Sequence, residues 1–336
     1  MKLYNMVFFN TMIMGTLIAI SSYSWMSMWM GLEINLLSII PLFSSNKNIL
    51  SSESSLKYFI TQAMASSVLL MSVILMLVTN EFIAPTMNFY LMMVLNSALL
   101  TKLGAAPFHY WFPEVMEGLN WVNCLILLTW QKIAPMMLLM NNIVNTKFTI
   151  CIILTCMVVS TIMAFNQISL RKILTFSSIN HIGWMMSTTL MSFSSWMIYF
   201  IVYTILNMNM IAMFQQTNSL YLNQINNSIN KNKMLKFSLI TNFMSLGGLP
   251  PFLGFLPKWI VINWMITNNL FSTAILMIML TLIMLFIYMR ITLSSLLMQL
   301  SETKFINLKF KNNYLLIKNF ITAMSLVLCT LLFNLL

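Results

Sequence analysis

The chain is a succession of apolar runs about 20 residues long, the length at which an α-helix crosses a lipid bilayer. Eleven such runs fall at about 3–20, 25–43, 57–79, 86–117, 119–140, 148–166, 172–190, 194–217, 236–264, 270–292 and 316–335. Short connections join them, the longest being 218–235 and 293–315. Only 7% of the 336 residues are charged and 60% are apolar, whereas about 25% of a soluble domain is charged. So little charge cannot cover a water-facing surface. That excludes a soluble enzyme, a disordered chain and a nucleic-acid-binding domain, in spite of the net charge of +11. In lipid every backbone polar group needs an internal partner, which helices supply. The expectation is an all-α membrane protein of about eleven transmembrane helices in one polytopic domain, residues 1–336.

The basic residues set its orientation. If successive spans alternate, one side receives Lys2, Lys47, Lys57, Arg171, Lys172, Lys231, Lys233, Lys236, Arg290, Lys304, Lys309, Lys311 and Lys318, and the other only Lys147. Such asymmetry is the positive-inside signal. It places the N-terminus on the protein-synthesising side and the C-terminus on the opposite one. The basic stretches 231–236 and 304–318 can also contact anionic lipid, cardiolipin included.

The chain holds 35 Met, an excess of Asn, Ile, Leu and Phe, and six acids that are all Glu. This is the coding bias of an animal mitochondrial genome. Met1-Lys2-Leu3 leads into an apolar run with neither a transit peptide nor a cleavage site. Synthesis in the organelle and residence in the mitochondrial inner membrane are therefore expected, with the N-terminus in the matrix. Cys124, Cys151, Cys156 and Cys329 sit in apolar runs without C-x-x-C spacing and read as small buried apolar residues.

Four charges remain within spans: Glu33, Lys102, Lys132 and Lys258. Each costs roughly 2.5–3.5 kcal/mol at the bilayer centre on insertion scales. They can persist by facing the bundle interior, by pairing or by meeting water. A static ion pair between helices is one reading, but one Glu cannot pair three Lys. Two helix breaks stand beside these charges. Pro107 removes a backbone donor in Lys102-Leu-Gly-Ala-Ala-Pro-Phe-His-Tyr-Trp-Phe-Pro-Glu114, so this span should break near Gly104. Gly247-Gly-Leu-Pro-Pro-Phe-Leu-Gly-Phe-Leu-Pro-Lys258 cannot stay helical either. Irregular backbone at membrane depth is tolerated where it is buried in protein or lines a wet cavity. The broken helix is the fourth span in each of two sets of five, about 1–140 and 148–292. Five being odd, the sets insert with opposite topology, the inverted-repeat plan of many transporters. The span 316–335 is left over.

The two broken-helix segments, with Ser177-Ser-Ile-Asn-His181-Ile-Gly-Trp184, resemble the motifs of the antiporter-like membrane-arm subunits of respiratory complex I, in an animal and arthropod-like mitochondrial form. The likeness covers the whole chain. It implies that Glu33 and Lys102 form the family's Glu–Lys pair, that Lys132 is the central lysine, and that Lys258 is the distal lysine, which is Glu in some relatives. It implies a lateral proton-conducting axis between them. It implies partners among complex I membrane-arm subunits, neighbouring antiporter-like chains included. Bacterial relatives carry fourteen spans, and the first three are expected to be missing here.

Proton transfer needs groups that hold and release a proton. Burial disfavours a charged lysine and a neighbouring carboxylate favours it, so a Glu33–Lys102 contact that opens and closes would switch Lys102 between the two states. Lys102 precedes its break, at the negative end of a half-helix. Lys258 follows its break and Pro257, and is expected at a positive N-terminal end, as the easier donor. Pro135 should kink its span and open the bundle around Lys132. His181, among Ser177, Ser178 and Asn180, is either a relay between Lys132 and Lys258 or a histidine bonded to a neighbouring helix. His109 reads as structural, and Glu114 and Glu117 as caps or solvated ends. No Rossmann or Walker pattern, haem pair, iron–sulfur cysteine set or metal cluster is legible. The chain is thus expected to bind no cofactor or metal, leaving NADH, flavin, iron–sulfur clusters and ubiquinone to other subunits. The functional expectation is proton translocation coupled to electron transfer elsewhere. A stand-alone cation/proton antiporter and a purely structural scaffold are the rival readings. The lack of intramembrane Asp speaks against sodium coordination.

Overall fold

The structure is a computed structural model that describes residues 3–45, 48–80, 85–142, 146–229 and 233–297. They form the helices α1 (Leu3–Ser21), α2 (Trp25–Phe43), α3 (Ile49–Asn80), α4 (Pro85–Leu103), α5 (Trp111–Gly118), α6 (Trp121–Leu128), α7 (Trp130–Met140), α8 (Thr146–Ala164), α9 (Leu170–Thr189), α10 (Phe193–Thr217), α11 (Leu222–Ile229), α12 (Lys233–Gly247), α13 (Phe255–Thr267) and α14 (Phe271–Leu297). The described part of the chain is all-α, as expected. The final span 316–335, most of the 293–315 connection and Cys329 lie outside the described residues.

Helix boundaries follow local chemistry. Ser24 and Ser192 have extended backbones, and their hydroxyls accept from the N–H of Ser27 and Ser195, each satisfying a donor that a first helical turn leaves open. Asn218 ends α10 in the left-handed region, at φ 48°, which asparagine tolerates better than most residues. Two boundaries differ from expectation. The third run becomes helical at Ile49, eight residues before the apolar stretch begins, because a buried serine ladder (Ser51, Ser54, Ser55) extends it. The 218–235 connection holds the short helix α11, anchored by an isolated bridge from Ser169 to Tyr221.

Seven of the described helices are long and apolar enough to cross a membrane, counting α6 with α7 as one. Helix α9 falls outside that group because its middle is polar, with Ser177, Ser178, Asn180 and His181 all buried. The pieces α4, α5, α12 and α13 are halves of the two interrupted runs.

The chain divides into two compact units, Met1–Thr155 and Cys156–Leu336. In the first, α1 packs along α2, α3 lies against α2, α4 and α5, and α7 against α4 and α1. The α1–α2 crossing depends on small residues. A Cβ on Gly31 would stand 2.5 Å from the Ala19 backbone nitrogen, and one on Gly15 would stand 2.8 Å from that of Asn35. Close backbone approach through small residues is how membrane helices gain packing without a hydrophobic driving force. In the second unit α9 packs on α10 and α13, and α14 on α12 and α13. Cys124 and Cys156 are buried as expected, but Cys151 is exposed. It falls on the outward face of α8, where a bilayer rather than protein suits an apolar side chain.

Candidate functional site

Both interrupted runs end their first half in the same way. In α4 the Gly104 N–H donates to Thr101 O and the Ala105 N–H to Leu100 O, each at 3.1 Å. In α12 the Gly248 N–H donates to Ser245 O (3.1 Å) and the Leu249 N–H to Met244 O (3.3 Å). These are paired Schellman bonds, and they need a left-handed residue at the turn. Gly104 and Gly248 supply it, at φ 73° and 80°. The helix breaks expected beside Pro107 and Pro250 are thus turns of one kind.

Side chains from downstream donate to the carbonyls at each of these half-helix ends. The Trp111 indole donates to Thr101 O at 3.1 Å. Lys258 Nζ donates to Leu246 O (3.2 Å) and Gly247 O (2.9 Å). The second arrangement corrects the expected placement of Lys258. Helix α13 starts at Phe255, so Pro257 is not its first residue. The flexible lysine stem carries its ammonium across the break to the carbonyl end of α12. Lys102 lies in the last turn of α4. Lys102 thus belongs to the last turn of one half-helix, and Lys258, although in the first turn of α13, sends its ammonium to the carbonyl end of another, where cations are stabilised.

Glu33 is mid-way along α2. Its Oε1 is buried and accepts no hydrogen bond. Glu33 and Lys102 make no ion pair among the described residues; Lys57, with Glu53 and Glu114, does. Lys132 is 1% exposed, with Nζ 5.8 Å from the centre of the Phe112 ring, in cation–π range. Phe112 also packs beneath Gly104. The helix interruption near Lys132 falls at Thr129, between α6 and α7, while Pro135 lies inside α7. Helix α7 continues through Pro135, and Lys132 is enclosed by protein rather than set in an opening.

Charge was the wrong signal for part of this site. Asn35 Nδ2 donates to Gln131 Oε1 at 2.9 Å, and Gln131 Nε2 donates back to Asn35 Oδ1 at 3.2 Å. The Tyr58 hydroxyl donates to the same Gln131 oxygen at 3.4 Å. Asn35 is two residues from Glu33, and Gln131 adjoins Lys132. A usable signal was present on α3, where Ser51, Ser54, Tyr58, Gln62 and Ser66 recur at helical spacing along a buried stripe.

In the second unit His181 Nδ1 lies 2.8 Å from the Tyr199 hydroxyl, and its ring faces Tyr203 at 5.2 Å. Asn180 Nδ2 donates to Ser160 Oγ (3.3 Å). Tyr288 lies beside Ser177 and Tyr203 beside Ser178. Lys258 Nζ lies 5.8 Å from the Trp184 ring centre. His181 thus joins a buried polar cluster that also reaches α10 and α14. His109 is buried, with Nδ1 3.2 Å from Pro107 O, and stays within its own break.

Glu114 does more than end a helix. With Glu53 it brackets the Lys57 ammonium, at 3.1 and 3.0 Å, on an exposed rim. Among the described residues no group of three or more His, Cys, Asp or Glu could hold a metal ion.

The sequence model of a family described as "NADH:quinone oxidoreductase/Mrp antiporter, TM" matches residues 22–285. The chain is similar to NADH-ubiquinone oxidoreductase chain 2 of Aedes aegypti, 48% identical over 99% of this chain and 98% of that one. It is similar to the same subunit of Anopheles gambiae, 46% identical over 99% and 94%. Its fold matches a chain of the respiratory complex I structure from Thermus thermophilus, with TM-score 0.86 and 20% identity over 98% of this chain and 78% of that one. It also matches a chain of the Mrp complex from Dietzia sp., with TM-score 0.75 and 14% identity over 89% and 61%. The chain belongs to the NADH:quinone oxidoreductase/Mrp antiporter membrane family, in its NADH-ubiquinone oxidoreductase chain 2 branch.

Proposed function

We propose that this chain is a proton-carrying membrane-arm subunit of the mitochondrial NADH:ubiquinone oxidoreductase, driven by electron transfer in other subunits. The observation that carries this reading is the pair of matched helix breaks. Each turns on a left-handed glycine, and each has a buried lysine at the exposed carbonyl end. Such a lysine can hold a proton in an otherwise apolar interior and give it up when its surroundings change.

In this reading Lys102, Lys132 and Lys258 are the proton-holding groups, and His181 relays between the last two. Glu33, whose buried oxygen has no partner, is the charge that sets Lys102: approach loads the lysine, withdrawal releases the proton. The two sets of five spans form inverted repeats within an eleven-span bundle. The N-terminus and the basic connections face the matrix and the C-terminus the intermembrane space. The exposed clamp of Glu53, Lys57 and Glu114 belongs to the matrix side of that topology, and cardiolipin is the lipid that the basic stretches 231–236 and 304–318 suit. Redox groups and ubiquinone belong to partner subunits, among them other antiporter-like chains.

The test is Lys132→Arg and Lys132→Met in the assembled complex, with proton uptake and NADH oxidation measured together. Arginine keeps its proton at any accessible pH, so a relay fails with either residue. A static ion pair would accept Arg and would lose assembly with Met. Wild-type pumping by fully assembled Lys132→Arg enzyme would remove Lys132 from the path. Recovery of the chain as an isolated, transport-active protein would replace this reading with a stand-alone cation/proton antiporter.

A further inference from the structure

A small cavity lies inside the first unit where α2, α3, α4 and α7 meet. Its polar lining is Asn35, Tyr58, Gln62, Lys102 and Gln131, and it leaves about 10 Å³ for the centre of a water molecule. That is room for about one water. The bonding capacity of the lining is uneven. Asn35 and Gln131 are spent on each other, and the Tyr58 proton goes to Gln131. Gln62 is 4% exposed, and its Nε2 has no partner. Lys102, 7% exposed, makes no side-chain hydrogen bond among the described residues. Two buried donors thus border one cavity, while the nearest amide oxygen already accepts twice.

An apolar occupant would leave both donors unsatisfied, at roughly 1–3 kcal/mol each. An anion larger than water does not fit the space. Water fits it chemically: two lone pairs accept from Gln62 and Lys102, and one proton goes to the free lone pair of the Tyr58 hydroxyl. That makes three bonds, the usual number for a buried water.

We propose that this cavity binds a single water that exchanges protons with Lys102, and that Gln62 is the positioning residue that fixes it. The inference rests on Lys102 being a proton carrier. On loading, an O–H bond of the water breaks as an N–H bond forms on the neutral Lys102 amine. The oxygen then takes a proton from the aqueous phase, so one proton moves and the water is regenerated. Gln62 lies five residues along α3 from the exposed Lys57, an axial rise of roughly 7.5 Å at 1.5 Å per residue. Release runs the same bonds in reverse.

The experiment is made on the assembled complex. A structure resolving ordered waters should show one within hydrogen-bonding distance of both Gln62 Nε2 and Lys102 Nζ. A dry cavity, with other buried waters visible, overturns the proposal. Gln62→Leu keeps the volume and removes the donor. Its coupled pumping should fall several-fold at normal assembly, most steeply at alkaline pH, where unassisted protonation is scarcest. Gln62→Asn keeps an amide donor, leaves space for a second water, and should restore part of the rate. A structural role for Gln62 predicts lost assembly with an unchanged pH profile. Assembled Gln62→Leu enzyme with the wild-type rate and pH profile overturns the proposal. Should Gln62→Leu fail to assemble, the water density decides alone. Lys102→Met separates the two levels. If it pumps normally, the underlying reading of Lys102 falls. If it is inactive while Gln62→Leu is normal, only the water is lost.

Discussion

Replacing Gln131 with leucine removes three hydrogen bonds at once and leaves their partners buried. Asn35 loses a donor and an acceptor contact, at 2.9 and 3.2 Å, and the Tyr58 hydroxyl loses its acceptor at 3.4 Å. Asn35 and Tyr58 are both almost fully enclosed, so no more than the one water of the adjoining cavity can replace what is lost. An interhelical hydrogen bond in a membrane contributes on average about 0.6 kcal/mol and at most about 1.7, while an orphaned buried group costs about 1–3 kcal/mol. The single substitution should therefore destabilise the α2–α7 contact by roughly 2–4 kcal/mol, and Asn35→Leu should do the same. The double variant Asn35→Leu/Gln131→Leu removes both amides together and leaves only the Tyr58 hydroxyl in need of a partner. Its loss should be nearer 1 kcal/mol, less than either single variant. The assay is the midpoint of thermal inactivation of the purified complex, with the amount assembled in the membrane as a second measure, since a change of about 1–2 kcal/mol alters abundance several-fold. Losses that add in the double variant would refute the coupling. They would mean that the two amides hold their helices independently.

Gly248→Ala places a Cβ 2.9 Å from Lys258 Nζ at a backbone φ of 80°, so about 1–2 kcal/mol of strain is joined by displacement of the ammonium from Gly247 O. Pumping should fall more than assembly, whereas Gly247→Ala, whose Cβ meets only ordinary contacts from 3.4 Å outward, should be near normal; equal effects would refute the role of this turn. Gly31→Val drives a side chain into the Ala19 backbone and should abolish assembly, which blotting of the native complex measures, because backbone cannot move aside as a side chain can. Lys57→Met removes a clamp whose side chains are 43–60% exposed. It should leave the inactivation midpoint nearly unchanged, as expected of an exposed ion pair, and weaken its salt dependence, read from midpoints at low and high ionic strength.

The sequence by itself determined the class of the fold and the places where that fold is interrupted. Hydrocarbon permits no unpaired backbone, so uncharged runs of helical length leave one solution. Proline close to glycine removes helical bonds, so a break near Gly104 and one within 247–258 were legible in the sequence, while the turn residue of the second, Gly248, was not. The intramembrane Glu33, Lys102, Lys132 and Lys258 were legible for a related reason: an ion in lipid is too costly to be incidental. Side-chain reach was decided only by the tertiary structure. A lysine stem is long and flexible, so the position of Lys258 after its break did not reveal that its ammonium returns to α12. The irregularity near Lys132 settled at Thr129 because packing and the hydroxyl bond to Leu125 O (2.7 Å) select the site, not the proline alone. The neutral amides Asn35, Gln62 and Gln131 could not be told in sequence from the many polar residues that merely bond their own helix. Asn35 and Gln131 are 96 positions apart, and only packing reveals that they meet. Their contact arises where α2 and α7 come together, with the α2 backbone itself set by a glycine crossing with α1.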